Sequence, residues 1–579
     1  MTKSILSLAL LVFAISATAQ NTDLPFGNDA YHTLDRLEIQ SGIEPIYHSA
    51  HKAITRFDAV RYALAVDTAQ SGTNLTGKDR ADLFYIYKEN NLSLQPTTEA
   101  CKEDDRNILS KNPILKTFYI TPGNLYEVNV PHFAMNVDPL FDFQVGSEIG
   151  NNRTDFHNLR GLRLQGGIDN KIWFSTNLYE NQTRFATNID REARERKYVP
   201  GGGYFKNYTS KYIDINDGFD YLNAEAYIGV QASKHIRVQF GHGKNFIGDG
   251  YRSLFLSDFG NNYFYLKLNT RIWKFDYQNI FAELTRDVDG VRTDTLRGKK
   301  YFAAHHLSFR PIKNLTIGVF ETVVFSRNDQ FEFQYLNPII LYRTVEGALG
   351  SPDNAMLGAD IKYNFAQSFS LYGQFLLDEF KLSEITSTKG WWGNKYGVQL
   401  GLKYIDVANI DHLDAQIEYN MVRPYTYSRD AFSSYMHYNQ VLAHPLGANF
   451  EELTGILRYQ PTPKLRFQAK IISATVGRDS VALTAKGAFS KITGASYGSN
   501  PARNYDDRNS DYGITLGQGN TSRILTLSFT ASYMLKHNLY VEINAYRRQE
   551  LNNYAYYNGT VNYFGGGLRY NVGSKTVDY

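Results

Sequence analysis

Apolar and polar residues alternate along most of this chain, from about residue 125 to its end. Residues 413–421 are typical, because every second side chain is apolar and those between are polar or charged. The apolar members are Leu413, Ala415, Ile417, Tyr419 and Met421, and the polar members are Asp414, Gln416, Glu418 and Asn420. A period of two places the two sets on opposite faces of a β-strand, one suited to lipid and the other to water.

Membrane barrels and soluble sandwiches both show this alternation, so strand length is needed to distinguish them. Most of the alternating segments run for about 9 to 13 residues, whereas soluble strands average about 5 to 6 and tilted membrane strands need about 9 to 11. The pattern therefore predicts about 18 antiparallel strands, an even number as in single-chain bacterial barrels. Their predicted starts lie near residues 134, 157, 171, 219, 235, 260, 272, 300, 314, 355, 368, 395, 412, 452, 464, 523, 538 and 561.

Short and long connections alternate between the predicted strands. The short, polar turns lie at 168–171, 232–235, 269–271, 310–313, 365–368, 408–411, 460–464 and 536–538. The long segments are 183–218, 244–260, 285–299, 326–353, 382–393, 424–451 and 477–522. Membrane barrels keep short turns in the periplasm and long loops outside, an order that a soluble sandwich has no reason to keep. Because open sheet edges are costly in lipid, we expect a closed, all-β transmembrane barrel.

The first part of the chain follows a different pattern. A basic start, the apolar run 5–15 and the small residues Ala17 and Ala19 predict a signal peptide over 1–19. Between residues 28 and 111 the apolar residues recur at helical spacing and predict three short amphipathic helices. The expected organisation is a signal peptide at 1–19, a helical periplasmic segment at 20–124 and an outer-membrane barrel with long extracellular loops at 125–579.

Composition agrees with a barrel, because 43 Tyr, 36 Phe and 45 Gly suit strands, tight turns and aromatic girdles. The net charge is only +3 for 61 basic and 58 acidic residues, so no nucleic-acid partner is indicated. Both signs occur at predicted inward positions, such as Arg237, Lys403 and Glu418, and they predict a hydrated or salt-bridged lumen. Cys101 is the single cysteine and is interpreted as a buried small hydrophobe rather than a reactive thiol.

A search for catalytic and metal-binding motifs is negative. No nucleophile has a recognisable His and carboxylate companion, and residues 241–244 lack the Ser or Thr that follows Lys in a phosphate loop. His305 and His306 lie on one predicted strand, where neighbouring side chains point to opposite faces, which disfavours a metal pair. We therefore expect no enzyme activity, no cofactor and no metal site.

Three apolar runs lie in the long connections, at 253–256, 335–341 and 391–392. Large apolar patches are rare in free solution and mark contacts. A barrel of about 16 to 18 strands is wide enough for an aqueous channel unless something fills it. We expect several of these loops to fold into the barrel mouth and close it partly or wholly.

Five loop segments carry a resemblance to a known group of proteins. They are FIGDGYRSL at 246–254, YLNP at 335–338, GSPDN at 350–354, RPYTY at 423–427 and LAHPLGANF at 442–450. Together they resemble the RemB gliding-motility outer-membrane proteins of Bacteroidota, a group similar in turn to the capsule-assembly protein Wzi. The resemblance covers nearly all of residues 20–579 and implies an outer-membrane barrel of about 18 strands with a helical periplasmic part. On the Wzi side it implies lectin-like capsule attachment, and on the RemB side surface motility.

Aromatic and cationic residues in the predicted outer loops are candidates for polysaccharide binding, since sugars take aromatic platforms beside hydrogen-bonding side chains. They are Tyr251, Arg252, Trp391, Trp392, Arg423, Tyr425 and Tyr427. The alternative is that they only pack the folded loops and form the upper aromatic girdle. An Arg buried for packing would need a carboxylate partner, whereas one kept for ligand could bind a uronic acid.

Three functions fit these observations. The first is attachment or assembly of a capsule or exopolysaccharide at the cell surface, the second is a transport channel or porin-like barrel, and the third is an accessory role in motility or secretion. The expected partners are outer-membrane lipid, surface polysaccharide, and motility or secretion proteins. A filled lumen would favour the first function over the second, because transport needs a continuous passage or a movable plug.

Overall fold

The computed structural model describes residues 21–69, 75–93, 109–151, 153–169, 171–211, 215–286, 296–350, 353–430, 432–483, 489–492, 494–554, 556–574 and 578. The predicted signal peptide and Cys101 lie outside these residues. The helices are α1 (Ala30–Ser41), α2 (Arg56–Thr68), α3 (Gly77–Glu89), α4 (Thr187–Arg196), α5 (Tyr342–Ala348) and α6 (Leu382–Thr386). Among the described residues, no helix combines the length and the apolar character needed to cross a membrane.

The strands carry most of the structure. In chain order they are β1 (Tyr126–Val130), β2 (Phe133–Glu148), β3 (Thr154–Ile168), β4 (Ile172–Arg184), β5 (Lys206–Ser210), β6 (Ile215–Gln231), β7 (Ile236–Gly243), β8 (Tyr263–Ile272), β9 (Phe275–Thr285), β10 (Lys299–Ile312), β11 (Leu315–Phe325), β12 (Asn354–Phe365), β13 (Phe369–Glu379), β14 (Lys395–Tyr404), β15 (Leu413–Val422), β16 (Met436–His437), β17 (Gln440–Val441), β18 (Phe450–Thr462), β19 (Leu465–Arg478), β20 (Val481–Leu483), β21 (Phe489–Ile492), β22 (Asn520–Lys536), β23 (Leu539–Leu551) and β24 (Gly559–Tyr570). β1 and β5 add short ladders beside β2 and β6, and β16–β17 and β20–β21 are small loop hairpins.

Within the described residues, the other eighteen strands close into one antiparallel barrel, which confirms the predicted fold class. Each strand pairs with the next along the chain, and the closing ladder joins the first strand, β2, to the last, β24. In that ladder Phe141 faces Tyr570 and Glu148 faces Tyr563. Every barrel strand starts within four residues of its predicted position.

Strand β15 shows how the alternation produces the barrel. The polar side chains of Asp414 and Glu418 are buried on its lumen face, where they bind Arg36 and the backbone of Tyr251. On the opposite face Ile417 is 51% exposed, as expected of a side chain that faces lipid. Exposed apolar side chains recur at the outward positions of strand after strand, and a belt of this extent is typical of a transmembrane barrel.

Short and long connections lie at opposite ends of the barrel, in the predicted order. Residues 273–274, 313–314, 463–464 and 537–538 are two-residue turns at one end, called here the turn end. Residues 185–214, 244–262, 326–353, 423–449 and 479–519 are long connections at the other, called the loop end. The chain enters β2 and leaves β24 at the turn end.

The N-terminal helices lie against the lumen wall at the turn end and form a plug. They share an apolar core that includes Leu34, Val60 and Ile86. Charged contacts bind this plug to the barrel, as when Arg36 Nη1 donates to Asp414 Oδ1 over 2.7 Å. The segment predicted as a periplasmic helical part is thus in contact with the inside of the barrel, and this part of the lumen is salt-bridged.

The loop between β7 and β8 enters the lumen from the opposite end. Leu254, Phe255 and Leu256 are fully buried in an apolar cluster inside the barrel, which confirms the predicted burial of the run 253–256. This loop meets the plug, because the backbone N–H of Gly248 donates to Ala50 O over 2.8 Å. Gly248 has φ +147°, and a Cβ there would lie 2.6 Å from the Gln374 side chain, so glycine is required.

The run 335–341 does not enter the barrel mouth, contrary to prediction. Tyr335 packs with Phe325 and Val323, whose side chains point away from the lumen. The connection between β11 and β12 therefore lies on the outer wall. The physical reason is that outward-facing aromatic and polar side chains on β9, β10 and β11 offer this run a surface to cover, while the 244–262 loop already occupies the lumen.

Candidate ligand-binding surface at the loop end

Two loop segments pair at the loop end and form what we call the outer ledge, residues 389–392 and 511–514. Backbone hydrogen bonds join them, from Trp392 N to Asp511 O (3.0 Å), Gly513 N to Lys389 O (2.9 Å) and Ile514 N to Gly390 O (3.0 Å). Trp391 and Tyr512 lie within these two hydrogen-bonded segments. Trp391 is half-buried and Tyr512 is 47% exposed, so both rings have accessible surface.

Trp392 holds the ledge to the neighbouring loops rather than facing outward. Its ring stacks on Tyr505 with centroids 4.7 Å apart, and the Arg508 guanidinium carbon lies 4.1 Å from its centroid. Tyr425 meets it edge-on at 6.3 Å. Stacking and cation–π contacts of this kind stabilise a loop cluster by about 0.5 to 2 kcal/mol each.

Arg423 lies beside the ledge and is half-buried. Its Nε donates to Asn394 O over 2.8 Å and its guanidinium lies 5.7 Å from the Tyr396 ring centroid. Within the described part of the chain, no carboxylate lies within ion-pair distance of Arg423. A guanidinium held by carbonyls and a ring keeps its charge available to an anionic ligand.

Tyr425 and Tyr427 anchor the 423–449 loop from inside. The Tyr425 hydroxyl donates to Ser496 O over 2.9 Å, and the Tyr427 hydroxyl donates to Leu254 O over 2.8 Å. Both residues have positive φ, 68° and 69°, which is rare for bulky side chains and persists only where contacts enforce it. Burial raises the pKa of the Tyr425 phenol to about 12, so it remains neutral.

Tyr251 and Arg252 lie inside the barrel. Arg252 pairs with Glu452 (3.3 Å) and Asp578 (3.1 Å), both buried. The Tyr251 hydroxyl also donates to Asp578. Two carboxylates satisfy the guanidinium, so Arg252 has the partners expected of a packing residue rather than a free ligand-binding charge.

The structure thus brings together four of the seven predicted residues, Trp391, Trp392, Arg423 and Tyr425, at the loop end. It separates them from Tyr251, Arg252 and Tyr427, which lie in the interior, because their loops turn into the lumen. Sequence reasoning missed Tyr505, Arg508 and Tyr512 of the 479–519 loop. The mixture of aromatic and charged residues at 505–512 was the available signal.

Two other groups of side chains that can bind a metal ion lie away from the ledge. Asp79, Asp411 and His412 converge at the turn end, and Arg36 already supplies positive charge there, 3.4 Å from Asp79. Burial opposes a charge on His412, but its contacts with Asp82 and Asp411 raise its pKa.

His305 and His306 point to opposite faces of β10, as the strand periodicity predicts. His306 Nδ1 lies 2.7 Å from His51 Nε2 of the plug, and His306 Nε2 lies 2.6 Å from Asp360 Oδ1. His306 is therefore a satisfied lumen residue that docks the plug. His305 lies on the outer wall, where its ring centroid is 4.0 Å from that of Tyr342.

The fold defines a class, an 18-stranded closed β-barrel with N-terminal helices against its lumen. A solved structure of similar fold is that of Wzi, an outer-membrane protein involved in group 1 capsule assembly in Escherichia coli and described as a carbohydrate-binding β-barrel. The two share 13% sequence identity over 95% of this chain and 99% of Wzi, with a TM-score of 0.53. At this identity the likeness establishes the fold alone.

Other outer-membrane barrels match over less of the chain. The outer-membrane protein OprD of Pseudomonas aeruginosa shares 13% identity over 75% of this chain and 93% of its own, with a TM-score of 0.40. No protein-family model matches the sequence, and no curated protein is significantly similar to it.

Proposed function

We propose that this protein is an outer-membrane barrel that attaches or helps to assemble a capsule or exopolysaccharide, and that the outer ledge is its glycan-binding surface. The observation that carries the proposal is that Trp391 and Tyr512, on the two hydrogen-bonded segments of the ledge, both have accessible rings beside charged side chains. Glu384 Oε1 lies 3.5 Å from the Tyr512 hydroxyl, and Arg423 stands next to the ledge. Flat rings beside polar groups match the apolar faces and hydroxyls of a sugar.

Placement in the outer membrane is part of the proposal. The exposed apolar belt calls for a bilayer, and barrels of this kind span outer membranes. The export signal expected at residues 1–19 would deliver the chain to that compartment. Wzi, which shares the fold, is described as an outer-membrane protein that binds carbohydrate, and this supports the same function for this barrel.

A transport channel is the competing function. It is disfavoured because the plug and a loop occupy much of the lumen. The plug and the 244–262 loop meet inside the barrel through Ala50 and Gly248. Cavities remain, of about 320 Å³ beside α1 with charged lining residues including Lys52, Lys403 and Arg458, of about 280 Å³ against β2–β4 and β22–β24, and of about 440 Å³ between the plug and the wall near Arg271. We expect purified protein in planar bilayers to conduct far less than an open barrel of 18 strands. A large, steady conductance would favour transport.

Motility is the other competing function, and the resemblance to RemB proteins rests on loop motifs. Two of these, residues 246–254 and 442–450, contribute to the apolar cluster inside the barrel. Side chains that hold the fold together give no support for motility over glycan binding.

The test of the proposed function is substitution of Trp391→Ala and Tyr512→Ala. Loss of one stacking ring should weaken binding of the organism's own surface polysaccharide about two- to twelvefold, since such a contact contributes about 0.5 to 1.5 kcal/mol. The matched control is Trp273→Ala, which removes a 76% exposed tryptophan from the turn end. If both ledge variants fold and bind polysaccharide as the parent does, glycan binding at the ledge is wrong.

A further inference from the structure

The connection between β11 and β12 folds back along the outside of the barrel. We call residues 327–350 the outer flap. Its buried side chains Tyr335, Tyr342 and Val345 form one apolar cluster with wall residues that point away from the lumen. Those wall residues include Phe281, Tyr301, Ala303, Val323 and Phe325. The flap therefore covers the outer face of β9, β10 and β11 rather than extending into solvent.

Beneath the flap lies a row of polar side chains that face outward. Asn279, His305 and Glu321 occupy facing positions on three adjacent strands. The flap satisfies them in part, because Asn279 Nδ2 donates to Pro338 O (3.2 Å) and Arg343 N donates to Glu321 Oε1 (2.9 Å).

This polar row lies at membrane depth. At the turn end, Phe275 and Phe309 face each other with ring centroids 4.7 Å apart, in the position of an aromatic girdle. Asn279 and His305 are four residues further along their strands, which corresponds to a height of about 10 Å for a tilted strand. The apolar band of such barrels is about 25 Å tall, so the row falls near its middle.

Polar groups at that depth are costly on a bare lipid-facing wall, because lipid offers no hydrogen bonds. The flap removes them from lipid and exposes several large apolar side chains, interspersed with the polar residues Gln334, Asn337 and Thr344. Ile339 is 83% exposed, and Phe333 and Leu341 are also exposed. Arg343, whose side chain is 63% exposed, pairs with the buried Glu346 over 2.7 Å.

We propose that the outer flap is embedded in the bilayer and that lipid acyl chains contact its outer side at Phe333, Ile339 and Leu341. The flap surface continues the exposed apolar belt of the wall, where Val319 is 53% exposed two positions from Glu321. A long loop at the loop end is thus part of the lipid-facing surface rather than part of the glycan-binding surface. The inference rests on the membrane placement within the proposed function, and not on polysaccharide binding.

The test places a nitroxide spin label at Ile339→Cys in a Cys101→Ser background and measures its collision with oxygen and with a water-soluble nickel chelate in lipid vesicles. Oxygen concentrates in hydrocarbon and the chelate in water. Val319→Cys on the barrel wall is the lipid control, and Ser510→Cys in the 479–519 loop is the water control. All three positions are exposed, so no label displaces a buried side chain.

We expect the label at Ile339 to match that at Val319, with strong oxygen and weak chelate collisions. Chelate access equal to that at Ser510 would overturn the proposal, because the flap would then lie in water. Low access to both reagents would also overturn it, in favour of a second copy covering the flap. If the Val319 label itself reports water, the membrane placement fails rather than the assignment of the flap.

Discussion

The Nζ atom of Lys362, on the lumen face of β12, lies 2.9 Å from Oε2 of Glu38 on α1 and joins the barrel wall to the plug. The same ammonium group donates to Ser49 Oγ over 3.0 Å and lies 3.1 Å from Asp35. Lys362 and Glu38 are both buried, so neither charge is stabilised by bulk water. Such contacts give the plug one docked position, and the consequences of removing them can be measured.

Substitution of Lys362→Met should loosen the plug. It leaves the Glu38 carboxylate buried without this cation, and breaking a buried pair from one side costs about 3 to 5 kcal/mol. Hydrogen exchange measured by mass spectrometry should show faster exchange in α1. The control is the double variant Lys362→Met with Glu38→Leu, which removes both charges and should recover most of the protection. Equal exchange in the single and double variants would contradict this role.

Plug docking should weaken as the pH falls below about 6.5. His48 Nδ1 lies 2.6 Å from Ser308 Oγ, and burial lowers the pKa of His48 to about 3. The undocked imidazole takes up a proton below its ordinary pKa of about 6.5 while the docked one does not. The contribution of His48 to the free energy of plug docking is therefore complete above about pH 6.5. Below that pH it falls by about 1.4 kcal/mol per pH unit, or by about 2 kcal/mol at pH 5.

The measurement is limited proteolysis of the plug between pH 7.5 and 5. Burial lowers the pKa of His51 as well, so part of the pH dependence will remain in any single variant. His48→Gln should reduce the slope, and an unchanged slope would show that His48 does not titrate on undocking.

The two ends of the barrel should lie on opposite sides of the membrane. In a Cys101→Ser background, cysteines at Asn207 and Asn500 should react with a membrane-impermeant maleimide on intact cells. Cysteines at Ser233 and Pro463, in exposed turns at the turn end, should react only after the outer membrane is opened. Labelling of Ser233 on intact cells would reverse the predicted orientation.

Arg252→Ala should destabilise the barrel far more than Arg423→Ala does. The first leaves the buried carboxylates of Glu452 and Asp578 without their guanidinium, at a cost of about 3 to 5 kcal/mol. The second removes a hydrogen bond to a carbonyl, which contributes about 1 kcal/mol. The temperature at which the folded band is lost in heat-modifiable gel electrophoresis measures the stability of each variant. Equal shifts in this temperature would mean that the interior ion pairs contribute little to stability.

The sequence alone was sufficient to predict the barrel, because a period of two in long segments indicates strands with one face toward lipid and the other toward the lumen. The alternation around Ile417 predicted β15, and the order of short and long connections predicted how the strands pair. The separation of His305 from His306 followed from the same period. These features are local, because the position of a strand and the direction of its side chains depend on residues that are neighbours in sequence.

Only the tertiary structure decided where the long loops lie. The runs 253–256 and 335–341 look alike as sequence, yet the first fills the lumen and the second covers the outer wall. An apolar run predicts that its side chains are buried but not which surface covers them, because that surface is formed by strands distant in sequence. For the same reason Arg252 and Arg423 could not be told apart until Glu452 and Asp578 were found beside one and backbone carbonyls beside the other.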